Sequence, residues 1–462
     1  LAPDGTLYVS EAGGNLWAVD TTTNPPVVKW NVPIAAGMTP VIGMDGTVFT
    51  EMYSNVLYDG YITALPEFAA FNPLNGSNEW TFPVPYGEWV STGTAEFWND
   101  CVVDASGVVY FGCFTNFYAI TNGQIKWIFN YPTSNTNAAS NLEWGLYPMG
   151  FARSEPVMGE DGTLYINTDF NQLFAVNSTN GSLKWINNFP PASEGGEPNE
   201  TGGAPAIGSD GTIYIGMSTY FVAINPADGT CKWSFSQPNV TFGAGAGSPN
   251  GSAVIGGNTI YVEGGYQLFA LDPDTGALKW TNSVEVDTEN WGNGGIGTAL
   301  AADGEIYAFG YEPYSDEAVC SFAPDGTTNW TYFLGYDAGN LTAPVIGPDG
   351  TVYFTTAVNY PGVIYAFAGP APVACAPWPE AMRNARRNGA VIRAQTGSPL
   401  KHTNGFQFAI SGPTNMPVCP CASQDLVNWT NIGQTVLTGG TTNFVDTGTS
   451  NYQYRFYRAF PQ

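Results

Sequence analysis

A chain of 462 residues with 44% hydrophobic and only 11% charged side chains has material for a large buried core and is too apolar for disorder. Its formal charge of −26 excludes nucleic acid and anionic lipid as main partners, because either would be repelled over most of the surface. No run of about 18 apolar residues occurs, so no transmembrane helix is expected.

Gly is abundant at 56 residues and aromatics make up 14% of the chain, while no long stretch repeats apolar residues every 3.6 positions. The class read from this pattern is all-β. The first residue is Leu and no signal peptide is visible, which points to a processed or truncated start. The seven cysteines (Cys101, Cys113, Cys231, Cys320, Cys375, Cys419 and Cys421) lack metal-ligand spacing, and the odd number leaves at least one thiol free or bonded between chains. Cys419 and Cys421 would share one face of a strand and so pair elsewhere, with Cys375 as one candidate.

In chain order a unit recurs: "PVIGMDGTVFT" from residue 40, "PVMGEDGTLYIN" from 156, "PAIGSDGTIYIG" from 205, "AVIGGNTIYVEG" from 253 and "PVIGPDGTVYFT" from 344. Its turn anchors fall near residues 4, 45, 106, 161, 210, 257, 303 and 349. After each anchor comes an alternating strand, then a second such as "QLFAVN", and usually a third ending in Trp. Asp-Gly supplies the positive φ of a tight hairpin, and alternation gives each strand two faces to bury. Four such strands form one blade, which needs neighbours to cover both faces and its edges.

The motif Ala-x-Asp/Asn-x-x-x-Gly-x-x-x-Trp appears as "AFNPLNGSNEW" (70–80), "AVNSTNGSLKW" (175–185), "AINPADGTCKW" (223–233) and "ALDPDTGALKW" (270–280). On these residues the chain, from 1 to about 390, resembles the quinoprotein-like or PQQ-repeat β-propeller family. The resemblance implies an eight-bladed propeller of four-stranded antiparallel blades over residues 1–369. It also implies that Trp80, Trp185, Trp233 and Trp280, with Trp30, Trp127 and Trp330 of degenerate copies, dock between adjacent blades. Blade one is expected to open inside its second strand, and blade eight lacks a Trp strand. Upstream residues, the segment after 370, or a strand from a neighbouring molecule would complete it.

The resemblance invites a PQQ-dependent oxidoreductase, which needs basic residues for the quinone carboxylates, a Ca²⁺ site and often a vicinal Cys pair. The blades hold only Lys29, Lys126, Arg153, Lys184, Lys232 and Lys279 as basic residues, five of them directly before a Trp, and there is no Cys-Cys pair. No cofactor is therefore expected. The one histidine, His402, lies beyond the blades, which excludes a Ser-His-Asp triad or a His-based metal site within them. A polysaccharide-degrading enzyme using paired carboxylates stays open as an alternative.

Long insertions at 83–100, 130–154 and 283–297 place carboxylates near tryptophans: Glu88 with Trp89, Glu96 with Trp98, Glu143 with Trp144, and Glu289 with Trp291. A ring face beside a carboxylate suits a sugar, so these residues are candidate glycan contacts, with loop anchoring as the alternative. Nine Asn-x-Ser/Thr sequons, including Asn75, Asn177 and Asn180, permit glycosylation without demanding it.

Residues 370–394 read as a linker with a short capping helix: Pro379 in the first turn, Gly389 past the last, and Arg383, Arg386 and Arg387 turned to the acidic blades. Residues 395–462 alternate without the repeat and resemble small β-sandwich modules that end secreted planctomycete and verrucomicrobial proteins, on "DLVNWT" and the terminal "RFYR". That resemblance implies export. Formal charge splits at the boundary, −30 for residues 1–369 and +4 for 370–462. Docking of the basic part, including Arg393, on acidic blades is expected, within one molecule or head to tail between copies. The reading is a secreted or cell-surface, non-catalytic scaffold whose partners are protein surfaces, including its own, with polysaccharide as an alternative ligand.

Overall fold

The computed structural model describes residues 1–11, 14–34, 39–58, 61–83, 101–113, 116–131, 156–168, 172–189, 204–217, 219–238, 240, 242, 253–264, 267–283, 297–312, 316–336, 340–347, 349–357, 363–374, 395–396, 400–402, 405–412, 414, 416–423, 430–448 and 455–461. They fall into two compact units, one within residues 1–201 and the other within 202–462. All their regular structure is β, in the eight blades of a β-propeller and two C-terminal sheets.

The first unit holds blades one to four. Blade four shows the pattern: Val157–Met158, Thr163–Thr168, Gln172–Asn177 and Leu183–Asn188 pair antiparallel in chain order. Its second strand is buried along its whole length, because both pleat faces meet neighbours, while its fourth strand is exposed or half-buried throughout. Blade one begins slightly earlier than its sequence implies. Ala2 N donates to Thr6 O as Gly43 N donates to Thr47 O in blade two, so residues 2–6 form the turn that precedes the second strand.

The third and fourth strands of each Trp-bearing blade share one irregularity. In blade four Ala175 faces Trp185 but Val176 faces Leu183, which leaves Lys184 as the extra residue of a β-bulge. The same slip isolates Lys29, Glu79, Lys126, Lys232, Lys279 and Asn329. A bulge re-aims one side chain and leaves the next in register, so the residue before Trp points away while Trp faces the following blade.

That Trp makes the joint. Trp30 of blade one donates its indole N–H to Pro73 O of blade two at 2.9 Å, and Tyr8 OH reaches the same carbonyl at 3.5 Å. Trp127 and Tyr110 converge likewise on Ser178 O, at 2.8 and 3.4 Å. In the second unit, Trp233 and Tyr214 meet at Pro273 O, and Trp280 donates to Pro324 O. Beneath each indole lies the motif glycine: a Cβ on Gly76 would stand 2.6 Å from Trp30 Cε3, and one on Gly181 2.7 Å from Trp127 Cε3. Trp80 sits beside Gly123 at ordinary contact distance, and Trp185 packs on Tyr165 of its own blade at 5.8 Å between ring centroids.

Blades five to eight lie in the second unit. Blade eight has a split first strand, Asn340–Leu341 and Val345–Ile346, then Thr351–Ala357 and Val363–Ala368, and no fourth strand among the described residues. Trp330 of blade seven therefore stacks on Phe367, centroids 5.7 Å apart, where other tryptophans find a turn. The chain then turns back: Val373 bridges Ala301, Ala302 N donates to Pro372 O, and Ala374 N donates to Leu300 O. Residues 372–374 thus add an edge to the first strand of blade seven. The helix expected at 379–389, with Arg383, Arg386 and Arg387, lies outside the described residues, as does Arg393.

Beyond residue 395 two four-stranded sheets form, one centred on Gly405–Ser411 and the other on Met416–Ser423. They meet through Phe408 and Tyr457, whose rings are 4.6 Å apart. Asp446, 4% exposed, accepts from Arg455 Nη1 at 2.5 Å and Tyr457 OH at 3.0 Å. Cys419 and Cys421 are each disulfide-bonded, with sulfurs 3.8 Å apart, and Cys375 lies outside the described residues. Cys101, Cys231 and Cys320 take part in no disulfide.

The seat beneath the indole yields a sharp test. Gly76, at φ +71°, should lose about 3 kcal/mol or more on Gly76→Ala, combining about 1–2 kcal/mol for the left-handed backbone with overpacking against Trp30. Gly257, at φ +59° with nothing within 4 Å of its would-be Cβ, should lose only about 1–2 kcal/mol on Gly257→Ala. Urea midpoints of the two variants measure the difference.

Candidate interaction surface

The bulge residues show where the few cations of the blades go. Lys184 Nζ lies 3.1 Å from Asp161 Oδ2 and bonds Thr163 Oγ1, so it crosses the third strand to tie the fourth to the turn before the second. Lys29 ties Asp4 and Thr6 in the same way, and Lys232 ties Asp210 and Thr212. Lys279 reaches Thr259 Oγ1 at 3.1 Å, the Asn258 carbonyl, and Asp272 at 3.9 Å.

The sequence varies this tie at either end or at both. Blade three keeps Lys126 but has Ser106 and Val108 at the positions of Asp161 and Thr163, and no such tie appears there among the described residues. Blade seven replaces both ends: Asn329 stands for the lysine and Glu305 for the threonine. The Glu305 carboxylate, 8% exposed for the residue, accepts from Tyr307 OH at 3.0 Å, Asn329 Nδ2 at 3.2 Å and Ser321 Oγ. Blade two has Glu79, which accepts from Asn72 Nδ2 at 3.0 Å.

The turn carboxylates are equally occupied. Asp45, Asp161, Asp210 and Asp349 each accept the backbone N–H two residues on, through Oδ1. Burial pushes the Asp161 carboxyl up, but the hydroxyl and amide of Thr163 and the Lys184 ammonium outweigh it and hold the group below its ordinary value of 3.8. Burial likewise raises the Tyr8 phenol to about 12, with the Asp4 charge adding to it, so Tyr8 stays protonated and donates at its joint. No group of three or more His, Cys, Asp or Glu placed to hold a metal occurs among the described residues.

The other sequence candidates divide cleanly. Trp30, Trp127, Trp233 and Trp280 sit at blade joints by geometry, and Trp330 at a modified one. Glu88, Trp89, Glu96, Trp98, Glu143, Trp144, Glu289 and Trp291 lie outside the described residues.

A further surface is the outer edge of blade eight, which no strand covers among the described residues. Val363–Ala368 occupies the third-strand position, and its counterparts in blades three and four are buried at their four central residues. Here no described strand covers its outer side, so Val363 and Ile364 are 44% and 41% exposed. The strand carries no charge, whereas the fourth strands that form the outer edge in blades one, three, four, five and six each carry a lysine. Charged side chains on an edge discourage further pairing, and their absence leaves the edge open to it.

A model of the PQQ-repeat family described as outer membrane protein assembly factor BamB matches residues 115–395, more than half of the chain. The chain belongs to this family. The BamB of Moranella endobia (strain PCIT) is 28% identical over 217 residues, covering 46% of this chain and 51% of that protein. The serine/threonine-protein kinase AfsK of Streptomyces griseus is 32% identical over 137 residues, 29% of this chain and 16% of the kinase. The match thus spans about half of one relative and about a sixth of the other. Among solved structures, the C-terminal WD40 domain of Sif2 aligns with a TM-score of 0.54 at 9% identity, over 79% of this chain and 93% of that one. That likeness is one of fold alone. Among the described residues no helix is long and apolar enough to cross a membrane.

The tie in this BamB-type chain has a pH signature. A carboxyl whose folded value is depressed contributes stability above its unfolded value and loses it as pH falls through the folded one. Lys184→Met should therefore lower the urea midpoint at neutral pH and converge with the parent as pH falls through the lowered value of the Asp161 carboxyl and the group becomes protonated in both. A midpoint difference independent of pH would assign the effect of Lys184 to the packing of its stem.

Proposed function

We propose that the chain is an exported, non-catalytic propeller that holds other proteins. The third-strand edge Val363–Ala368 carries this reading: an uncharged strand with apolar side chains, uncovered on its outer side among the described residues, can accept an extended segment of a partner by strand addition. Membership of a family described as an assembly factor supports the same role and supports export. The lysine ties support the absence of quinone chemistry, since Lys29, Lys184, Lys232 and Lys279 already have partners within their blades.

Protein equilibrated with pyrroloquinoline quinone and Ca²⁺ is expected to retain no quinone absorbance through gel filtration and to reduce no dye with alcohols or aldoses. Stoichiometric retention would replace this reading with the quinoprotein one.

The finer reading is self-assembly, in which the C-terminal part at +4 meets blades at −30 in a neighbouring copy. Light scattering should then show association at low ionic strength that weakens as the Debye length falls from about 10 Å at 0.1 M salt to about 3 Å at 1 M. A monomer at every salt and protein concentration removes self-assembly and leaves the partner a different protein.

A further inference from the structure

Three of the blade-joint turns contain Asn-Gly, the dipeptide in which a glycine amide nitrogen most readily attacks the preceding side-chain amide, and in two of them the glycine lies directly beneath an indole. Asn75 precedes Gly76, the seat of Trp30, and Asn180 precedes Gly181, the seat of Trp127. Both asparagines are exposed. From this geometry we propose that Asn75 and Asn180 are sites of spontaneous deamidation gated by opening of the joint beneath Trp30 and Trp127.

The chemistry uses only water. The Gly76 nitrogen gives up its proton and attacks Asn75 Cγ; a C–N bond forms, the Cγ–Nδ2 bond breaks, and ammonia leaves with the proton. Water then opens the cyclic imide. Cleavage at Cγ leaves aspartate, and cleavage at the main-chain carbonyl leaves isoaspartate, whose backbone runs through the side-chain carbon.

The closed joint works against the first step. Gly76 N–H donates to Asn72 O at 2.9 Å, and Gly181 N–H donates to Asn177 O at 2.8 Å, so each attacking nitrogen is bound elsewhere. The target is also held, with Asn75 Oδ1 accepting from Ser77 N at 2.9 Å and Asn180 Oδ1 from Ser182 N at 3.0 Å. The indole packed on the glycine keeps that turn shut. Reaction therefore proceeds from the fraction of molecules in which the joint has opened.

The molecule also shows which product it tolerates. Blades five and seven carry Asp228-Gly229 and Asp325-Gly326 at the same place. Asp228 Oδ1 accepts from Thr230 N, and Asp325 Oδ1 from Thr327 N, each at 3.0 Å, in the same pattern as Asn75 and Asn180. Aspartate at 75 or 180 thus keeps the turn and adds one negative charge. Isoaspartate lengthens the main chain before the glycine and moves it from beneath the indole.

The test is peptide mapping after incubation of the whole protein in mildly alkaline buffer. Asn75 and Asn180 should convert roughly tenfold or more slowly in the folded protein than in urea, and Trp30→Ala should speed Asn75 by about tenfold while leaving Asn180 unchanged. Trp127→Ala should do the reverse. Equal rates folded and unfolded, or no response of Asn75 to Trp30→Ala, would overturn the proposal. If Trp30→Ala fails to fold, Trp30→Phe keeps a ring and loses the bond to Pro73 O, and its effect on Asn75 should have the same sign; an unchanged rate counts against gating. Asn75→Asp should leave the melting temperature within about 1–2 °C of the parent, and a fall like that of Gly76→Ala would overturn the tolerance for aspartate.

Discussion

The indole N–H donated by one blade to a turn carbonyl of the next is the contact on which the described structure depends. A blade buries its central strands only if something covers both faces, and the joint supplies the cover together with its register. The hydrogen bond is worth about 1 kcal/mol net and the Tyr–Trp ring pair about another. The larger contribution is the apolar surface each indole removes from water together with the tyrosine beside it. Specificity comes from the conjunction: Tyr8, Trp30, Pro73 O and Gly76 must coincide, and they can do so only in one register.

The bulge before each tryptophan links that joint to the electrostatics. A strand in regular alternation would place the residue before Trp squarely opposite a partner. The slip at Ala175 frees Lys184 to cross to Asp161 and Thr163 without disturbing Trp185. Side chains half exposed to water gain little from a lone ion pair. The tie's value lies in orienting a turn whose carboxylate also caps a backbone amide. Blade seven reaches the same end by a different route, with Glu305 accepting from three neutral donors where the others use an ammonium.

Much of this was legible in the sequence because the repeat aligns equivalent positions several times over. Alternation gave the strands, Asp-Gly the first turns, and Gly-x-x-x-Trp the recurrence of one glycine and one indole per blade, although each glycine seats the tryptophan of the preceding blade. The bulge was not read, although a lysine directly before a tryptophan in five blades was its signature: a strict period of two puts those neighbours on opposite faces and hides the extra residue. The return of residues 372–374 to the first strand of blade seven was invisible for a different reason. That pairing is made through backbone groups by "PVA", which carries no pattern of its own and finds its partner some 70 residues away.

That return bears on how blade eight is completed. A chain leaving the third strand of this blade has two uses for its next residues: a fourth strand on the same sheet, or an added edge on blade seven. Residues 372–374 take the second course, so the part of the linker nearest the blade cannot cover Val363 and Ile364. A fourth strand in this family brings its own tryptophan, yet Trp330 already stacks on Phe367 with no turn beneath it. Among the described residues the edge therefore presents strand-three chemistry outward: backbone donors and acceptors at regular spacing, apolar side chains on both faces, and no charge to repel a partner. Those are the requirements for pairing with an extended segment, and the repeat's own logic supplies them wherever its third strand stands at an edge.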